Sequence, residues 1–373
     1  MKLGLLITSV SNFGIKGFYN AQEIGLAKSL SEYAEKVEVY KLVEQNSKEE
    51  NYSLDGYENV NVHLLPSKHF GINGFPNVEL FSKDLDCIIH FSDTQFSVPM
   101  VYKWAKKNNI AYIPYIGVLE SHSTSALKKI ITNFMFKRNI SIYKKLSCFV
   151  KTPTVAQQLK SLGVKNVSIM PVGLDLELLH VDYNKVDRCD LVEKYGYHQD
   201  DKILLFIGRL IDEKEPLLML EILNQLHSGN SAYKLLMVGT GPLENEVKNY
   251  IKSNALEGSV NMIPKIPNSE IWELYRLADC FVNLNKQEIF GMAILEALFY
   301  DCKVVAWKAP GPDLIIAEGV GVVADDTESI IRGIQKSHID TDIAHSHIIN
   351  NYTWKVTGNK MYIEAEKIVG IKE

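Results

Sequence analysis

Short apolar runs alternate with longer amphipathic segments in the first half of the chain. The run at 3–8 is followed by a loop and by helical spacing at 21–33, and Val98–Lys107 also has helical spacing. Four more apolar runs predict strands, at 37–42, 60–65, 86–91 and 111–116. Strands separated by helices pair in parallel through right-handed crossovers, so this half predicts an α/β sheet.

A second series of the same kind begins after the polar stretch 182–201. Its predicted strands are 202–207, 233–238, 260–262, 280–284, 303–307 and 321–323, and its predicted helices are 216–227, 243–254, 269–277 and 291–299. The repeated pattern predicts two Rossmann-like domains. We place the N-terminal domain at 1–180, the C-terminal domain at 181–350, and a last helix at 351–373 that packs toward the N-terminal domain.

Composition and charge favour a cytoplasmic globular protein. The 373 residues suffice for two domains, and 46% apolar with 23% charged residues is ordinary for a soluble chain. A net charge of -5 argues against a nucleic-acid-binding protein, which needs a basic surface. The five cysteines form no C-x-x-C pair, so we expect reduced thiols and no zinc site. The N-terminal apolar run is too short for a signal peptide, and no run is long enough to span a membrane.

The clearest chemical signal is the segment 285–296, where a buried strand ends, a polar loop follows and a helix begins near Phe290 and Gly291. The first turn of a helix, where Met292 lies, offers unpaired N–H groups and a positive dipole end that suit a phosphate. Glu288 precedes this helix, and Glu296 lies inside it, where a carboxylate can accept hydrogen bonds from ribose hydroxyls. The alternative is a helix cap with a solvated glutamate.

A second candidate site follows the strand at 202–207. Gly208 ends the strand, and Arg209 and Lys214 extend from the loop at the carboxyl edge of the sheet, where open α/β sheets bind ligands. A guanidinium and an ammonium together suit a diphosphate. Taken alone, two loop cations are more often simply solvated.

Two glycine-containing loops are weaker candidates. Gly239 and Gly241 follow the strand at 233–238, and Gly14 and Gly17 follow the first strand. Glycine lets the backbone turn tightly or approach a ligand closely, and the full dinucleotide fingerprint is not present. A tight turn and a ligand contact both remain open.

Together these segments resemble a family 4 retaining glycosyltransferase of the GT-B fold, in which two Rossmann-like domains face each other across a cleft. The matching segments are 172–175, 206–214, 238–242, 303–313 and the E-x7-E motif at 288–296. The resemblance covers the C-terminal half closely and the N-terminal half mainly in strand order.

The resemblance implies a donor site on the C-terminal domain. Arg209 and Lys214 would bind the diphosphate of a nucleotide sugar, and Glu288 would contact the sugar. The acceptor would lie on the N-terminal domain. Transfer would proceed with retention, by attack of the acceptor hydroxyl from the face that the diphosphate leaves.

The same resemblance implies contacts to the nucleoside. Glu296 would bind the ribose, and Lys265 and Ile266 would lie beside the base. Cations and helix dipoles can stabilise the leaving diphosphate without a metal. We therefore expect no metal and no cofactor, since the sequence has no aspartate-rich motif.

The sequence departs from the family pattern at three places. Glu215 follows Lys214 where the family usually has glycine, and Asn285 stands near a usual serine. A histidine often ends a late strand of the N-terminal domain and touches the donor sugar, and here the nearest is His122. Either His122 serves from a longer loop or the role is absent. His90 ends another strand, and we interpret it as structural.

A basic stretch bears on the acceptor. Ser121 to Leu174 contains nine lysines and arginines and no acidic residue, and apolar residues recur at helical spacing at 127, 130, 131, 134 and 135. A basic amphipathic helix suits an anionic membrane surface, whereas a domain helix with a solvated basic face is the alternative. We hypothesise that this stretch meets a lipid-linked acceptor.

We predict a cytoplasmic glycosyltransferase, peripheral at the inner face of the cell membrane. It would move a sugar from a nucleotide donor, UDP in preference to GDP, to a glycan or lipid-linked acceptor. The resemblance favours bacterial surface-polysaccharide synthesis. The alternatives are a nucleotide-sugar epimerase or hydrolase of the same fold, and a sugar-binding protein without catalysis.

Overall fold

The computed structural model describes residues 1–10, 21–93, 96–119, 126–180, 182–336 and 340–370. The chain divides into two units. The first is Met1–Gly173 together with Thr353–Glu373, and the second is Leu174–Tyr352. The sequence predicts domain boundaries between residues 180 and 181 and between residues 350 and 351. The backbone N–H of Leu174 donates to the carbonyl of Tyr352 at 2.7 Å, so the two ends of the second unit lie side by side.

An eight-stranded sheet forms the first unit. Its strands are β1 (Lys2–Ile7), β2 (Lys36–Glu44), β3 (Glu50–Leu54), β4 (Tyr57–Ser67), β7 (Cys87–Phe91), β8 (Ala111–Ile116), β9 (Ser147–Val150) and β10 (Asn166–Ile169), and a separate hairpin consists of β5 (His69–Phe70) and β6 (Asn73–Gly74). The order is β10-β9-β8-β7-β1-β2-β4-β3, and only β3 runs antiparallel to its neighbour. The central strands are buried along most of their length, as expected for a parallel sheet covered on both faces.

Helices cover this sheet. They are α1 (Gln22–Ser31), α2 (Val98–Lys107), α3 (Ala126–Tyr143) and α4 (Pro153–Ser161). On one face Val101 of α2 and Tyr143 of α3 share a core with Leu6 and Val150 of the sheet. Cys87 is fully buried in β7, where it acts as a small core residue.

The second unit contains a six-stranded, fully parallel sheet. Its strands are β11 (Lys202–Ile207), β12 (Tyr233–Val238), β13 (Val260–Ile263), β14 (Cys280–Asn283), β15 (Val304–Trp307) and β16 (Val322–Ala324). Its helices are α5 (Arg188–Lys194), α6 (Pro216–Gly229), α7 (Glu244–Ser253), α8 (Ile271–Leu277), α9 (Met292–Phe299), α10 (Pro310–Ile315), α11 (Thr327–Gln335) and α12 (Thr341–Asn351). The order β13-β12-β11-β14-β15-β16 is that of the Rossmann fold. The predicted fold class, α/β with two Rossmann-like units, is confirmed.

The last helix, α13 (Trp354–Gly370), belongs to the first unit and packs on α1. The two helices approach closely, because a Cβ added to Gly25 would lie 2.3 Å from the indole of Trp354. The rings of Tyr33 and Tyr362 lie 5.5 Å apart further along. Among the described residues, no helix combines the length and the apolarity needed to cross a membrane.

Candidate active site

The predicted donor-binding loops meet at one point of the second sheet. Strand β11 pairs with β12 on one side and with β14 on the other, so the chain reverses its direction of winding between β11 and β14. The segment 208–214 follows β11, and 284–291 follows β14. Open α/β sheets bind ligands outside the carboxyl ends of the strands at such a switch point.

An ion pair joins the two loops. The ammonium of Lys214 donates to Oε2 of Glu288 at 2.8 Å, and the two side chains are only 28% and 15% exposed. Lys214 ends a short 3-10 turn, Asp212–Lys214, that precedes α6. The structure therefore places together two residues that the sequence assigned to separate candidate segments.

Two asparagine amides complete the surroundings of Glu288. Nδ2 of Asn283 and Nδ2 of Asn285 donate to the same oxygen, Oε2, at 3.3 and 3.2 Å. Both asparagines are buried, and the backbone N–H of Asn285 donates to Oδ1 of Asn283 at 3.0 Å. From the sequence, Asn285 is predicted only as a departure from the family pattern, and Asn283 is not among the predicted site residues. The signal that could have found them is two amides, spaced by two residues, at the end of a buried strand that precedes a motif glutamate.

Arg209 lies on the same loop as Lys214 and is exposed. Within the described part of the chain its guanidinium has no ion-pair partner, so it can offer N–H donors to a ligand. The backbone N–H of Gly208, directly before Arg209, donates to the carbonyl of Val238 in the neighbouring strand at 2.9 Å.

Helix α9 starts directly after the motif loop. Gly291 caps it with φ of +97°, a left-handed conformation that favours glycine, and Met292 opens the first turn. Phe290 is buried and packs edge-on against Tyr352 with ring centroids 6.4 Å apart. The N–H of Gly311 donates to the carbonyl of Glu288 at 2.9 Å, which ties the loop to α10. The first-turn N–H groups of α9 thus emerge from a loop held at several points.

Glu296 lies one turn into α9 and is only 8% exposed. Burial raises the pKa of its carboxyl to about 7, and the hydroxyl of Tyr275, which donates to Oε2 at 3.0 Å, opposes that shift. A solvated glutamate, one of the two sequence-based alternatives, is therefore wrong. The carboxyl is a buried group that changes its charge near neutral pH.

Close packing requires the two glycines in the loop after β12. A Cβ on Gly239 would lie 1.8 Å from the carbonyl oxygen of Gly208, and one on Gly241 would lie 2.3 Å from that of Leu210. The absence of side chains lets this loop cross the loop after β11. Lys265 is exposed and Ile266 is partly buried in the segment after β13, at the same edge of the sheet.

Glu215 explains one departure from the family pattern. It adopts a left-handed conformation, with φ of +54°, at the start of α6. Glycine suits this position because a side chain makes that conformation costly. Here the Glu215 carboxylate accepts a hydrogen bond from Lys286 at 2.9 Å, and the Lys286 ammonium lies 4.4 Å from the centre of the Trp307 ring.

The predicted site residues of the first unit cannot be compared with the structure, because Gly14, Gly17 and His122 lie outside the described residues. At the carboxyl edge of its sheet, Lys151 after β9 donates to Oδ2 of Asp93 after β7 at 2.7 Å. In the sequence, Lys151 stands out only as one of the nine cations of the basic stretch. Its position directly after a buried strand was the available signal.

His90 lies in β7 and is fully buried. Its ring nitrogens make hydrogen bonds with the hydroxyls of Thr8 and Tyr112 at 2.9 and 2.8 Å, and burial lowers its pKa to about 3. A neutral imidazole with both nitrogens occupied agrees with the predicted structural role.

Comparison with known proteins identifies the second unit. The sequence profile of the family described as "Glycosyl transferases group 1" matches residues 187–354, which include both loops of the site. This part of the chain belongs to the group 1 glycosyl transferases. The resemblance to a family 4 glycosyltransferase of the GT-B fold is thereby confirmed, and the group 1 match favours transfer over the epimerase and binding-protein alternatives.

The curated relatives of this chain are distant. The alpha-monoglucosyldiacylglycerol synthase of Streptococcus pneumoniae is 21% identical over 82% of this chain and 73% of its own length. Some other curated relatives match over less than half of their own length, whereas an uncharacterized glycosyltransferase of Methanocaldococcus jannaschii is 21% identical over 88% of this chain and 86% of its own length. Sucrose-phosphate synthase from Thermosynechococcus elongatus shares the fold with a TM-score of 0.77, at 15% identity over 100% of both chains. Anabaena HepE in complex with UDP-glucose does so with a TM-score of 0.70, at 14% identity over 98% of this chain and 100% of that one.

Proposed function

We propose that this group 1 glycosyl transferase binds a nucleotide sugar on its second unit and transfers the sugar, with retention, to a glycan or lipid-linked acceptor. One observation supports this most strongly. The Lys214–Glu288 pair, exposed Arg209 and the start of α9 lie on the two loops that flank the switch point of the sheet. That set combines cations for a diphosphate with a carboxylate for a sugar.

The cations act on the bond that breaks. In the reaction the acceptor oxygen bonds to the anomeric carbon while the bond from that carbon to the diphosphate oxygen breaks. Negative charge grows on the departing diphosphate, and Lys214, Arg209 and the N–H groups of α9 stabilise it there. The leaving oxygen takes the proton of the acceptor hydroxyl, which attacks from the same face and so retains the configuration.

Glu288 has two roles in this proposal. Its carboxylate holds the Lys214 ammonium at the switch point, and it accepts hydrogen bonds from hydroxyls of the donor sugar. The amides of Asn283 and Asn285 donate to Oε2, which leaves Oε1 for the sugar. Glu296 binds the ribose, and Lys265 and Ile266 lie beside the base.

The proposals for the donor base, the acceptor and the cellular location have weaker support. HepE holds UDP-glucose on the same fold, and we propose UDP in preference to GDP for this chain. The name of the streptococcal relative describes a glycolipid synthase, which supports a lipid-linked acceptor and a peripheral position on the inner face of the cell membrane. We propose bacterial surface polysaccharide or glycolipid synthesis, and transfer without a metal ion.

A nucleotide-sugar panel tests this function. UDP-, GDP- and ADP-linked sugars are added to the protein, and both the thermal midpoint and the release of nucleotide are measured, with and without EDTA. We expect a UDP sugar to raise the midpoint by preferential binding to the folded state and to be consumed at the same rate in EDTA. The absence of a thermal shift with every nucleotide sugar would contradict the donor site. A shift without any turnover on glycan or glycolipid acceptors would contradict transfer.

A further inference from the structure

Helix α3 has two apolar sides, and only one of them packs into the first unit. Phe136 and Tyr143 are buried in the core under the sheet, and Ile140 packs against that core. Ile130 and Phe134, one turn apart, are 66% and 64% exposed. Two of the apolar residues at helical spacing in the sequence, Ile130 and Phe134, therefore lie on the outer side, where the described residues do not cover them.

The outer side of α3 is also basic. Lys137, Arg138, Lys144 and Lys145 are exposed on or just after this side of the helix. No acidic residue occurs between Ser121 and Leu174, so nothing within the stretch neutralises these cations. Two large apolar side chains beside cations of a single sign form the pattern of helices that lie in a membrane interface.

A second exposed apolar element lies beside it. The aromatic hairpin, residues 68–75, presents Phe70 at 55% and Ile72 at 62% exposure. Two backbone hydrogen bonds fix it to the segment after β1. The N–H of Val10 donates to the carbonyl of Ile72 at 2.9 Å, and the N–H of Gly74 donates to the carbonyl of Thr8 at 2.8 Å. A hairpin with exposed apolar residues, held firmly to the sheet, is a costly feature unless another surface covers it.

Phe96 connects the two elements. The rings of Phe70 and Phe75 each lie 6.1 Å from that of Phe96, and the guanidinium of Arg138 donates to the Phe96 carbonyl at 3.3 Å. The aromatic hairpin and the outer side of α3 are thus adjoining parts of the first unit.

We propose that the aromatic hairpin and the outer side of α3 together bind the surface of a bilayer that contains anionic phospholipids. Phe70, Ile72, Ile130 and Phe134 enter the boundary between headgroups and acyl chains, and the cations of α3 contact lipid phosphates. The inference rests on the proposed function only for its purpose, which is to bring a lipid-linked acceptor to the enzyme. A second copy of the chain is disfavoured as the occupant, because a two-fold contact would set the same cations against each other.

Vesicle sedimentation tests the surface. The full chain is mixed with vesicles of phosphatidylcholine alone or with added phosphatidylglycerol. Two apolar variants, Ile130→Ser/Phe134→Ser and Phe70→Ser/Ile72→Ser, remove the inserted side chains, and Lys137→Glu/Lys145→Glu reverses two charges. Ile343→Ser on α12, where Ile343 is 53% exposed, and Lys252→Glu on α7 are matched controls in the second unit.

The wild-type chain should bind the anionic vesicles and lose binding in high salt. Each double variant should bind on the order of tenfold more weakly, and the controls should bind as the wild type does. Equal partition of the wild type to neutral and anionic vesicles would overturn the proposal, as would wild-type binding by all three variants. A dimer in solution that the Ile130→Ser/Phe134→Ser variant dissociates would overturn it in favour of self-association.

Nucleotide binding separates this test from that of the proposed function. The thermal shift caused by a nucleotide sugar should be the same in the variants and the wild type, because none of the changed residues lies in the second unit's site. A variant that keeps this shift and loses vesicle binding supports the membrane surface. A wild type that shows the shift but no preference for anionic vesicles removes the membrane surface and leaves the donor site standing.

Discussion

The ammonium of Lys214 lies 2.8 Å from Oε2 of Glu288, although 74 residues separate them in the chain. The contact exists because β11 and β14 are neighbours, so the loops that follow them emerge side by side. Each charge is held by its partner, and both are mostly shielded from solvent. The pair therefore pre-sets the position of a cation where a leaving diphosphate would lie.

Replacing Lys214 by alanine should lower turnover on the order of a hundredfold or more, because the cation stabilises charge that develops only as the diphosphate leaves. The rate of nucleotide release with the donor identified by the panel is the measurement. Lys248→Ala, which breaks a surface pair with Glu244 on α7, is the matched control and should leave the rate unchanged. Equal rates for Lys214→Ala and the wild type would exclude the proposed role.

The amide of Asn283 should hold the Glu288 carboxylate in position. Asn283→Asp keeps the oxygen that accepts from the N–H of Asn285 but replaces the donor to Oε2 of Glu288 with a second carboxylate. Two like charges at this distance repel each other, so the Glu288 carboxylate should move away from the Lys214 ammonium. We expect the rate of nucleotide release to fall.

The control for this change is Asn261→Asp, since Asn261 is exposed on β13. It should release nucleotide as fast as the wild type does. If Asn283→Asp also reacts at the wild-type rate, Asn283 does not position Glu288.

The buried carboxyl of Glu296 should make stability depend on pH. Its pKa is about 7 in the folded chain against an ordinary 4.5, so the folded state binds more protons between these values. The resulting stabilisation is complete below about pH 4.5 and is lost as the pH rises through 7, by up to about 3 kcal/mol. Glu296→Gln removes this dependence and should gain stability relative to the wild type as the pH rises.

Thermal unfolding at acid and alkaline pH measures the effect of Glu296→Gln. Glu246→Gln on α7, where Glu246 is exposed, should show no such trend. If the difference between Glu296→Gln and the wild type is the same at both pH values, the carboxyl does not titrate in the proposed range.

At position 215, replacement by glycine should cost less stability than replacement by alanine. The left-handed backbone costs a residue with a side chain about 1–2 kcal/mol, and glycine avoids this at an entropic cost of about 0.5–1 kcal/mol. The exposed pair with Lys286 adds at most about 1 kcal/mol. Glu215→Gly should therefore be more stable than Glu215→Ala by about 0.5–1 kcal/mol.

The neighbouring Glu213 provides the matched comparison, since it is exposed in the 3-10 turn and its φ is negative. There alanine should be more stable than glycine, so the order of the two variants reverses between adjacent glutamates. Denaturant unfolding of the four variants decides it, and the same order at both positions would contradict the argument.

Hydrophobic pattern predicted most of the fold because buried parallel strands are almost continuously apolar. The bounds of β11 and β12 agree with the prediction to the residue. Two of the strands that were missed, β3 and β10, lie at the edges of the first sheet and are largely exposed, so their sequences carry little apolar signal. The missed β9 is buried but only four residues long.

Local patterns predicted the candidate residues but not their contacts. The carboxyl ends of strands pointed to Lys214 and Glu288, yet their pairing depends on which strands are neighbours. The amide of Asn283 reaches Glu288 only because the loop folds back on the strand end. The apolar spacing around Phe134 predicted an amphipathic helix, but which side faces the core depends on long-range packing.

The chain returns to the first unit with α13, and this order affects how the protein is synthesised. Residues 174–352 lie between the two parts of the first unit, so 179 residues must be synthesised before Trp354 can reach α1. At about 5–20 residues per second this interval lasts on the order of ten seconds or more on the ribosome. During that time α13 does not yet cover the surface of α1 around Leu26 and Gly25. The first unit is therefore the first to emerge from the ribosome and the last to be completed.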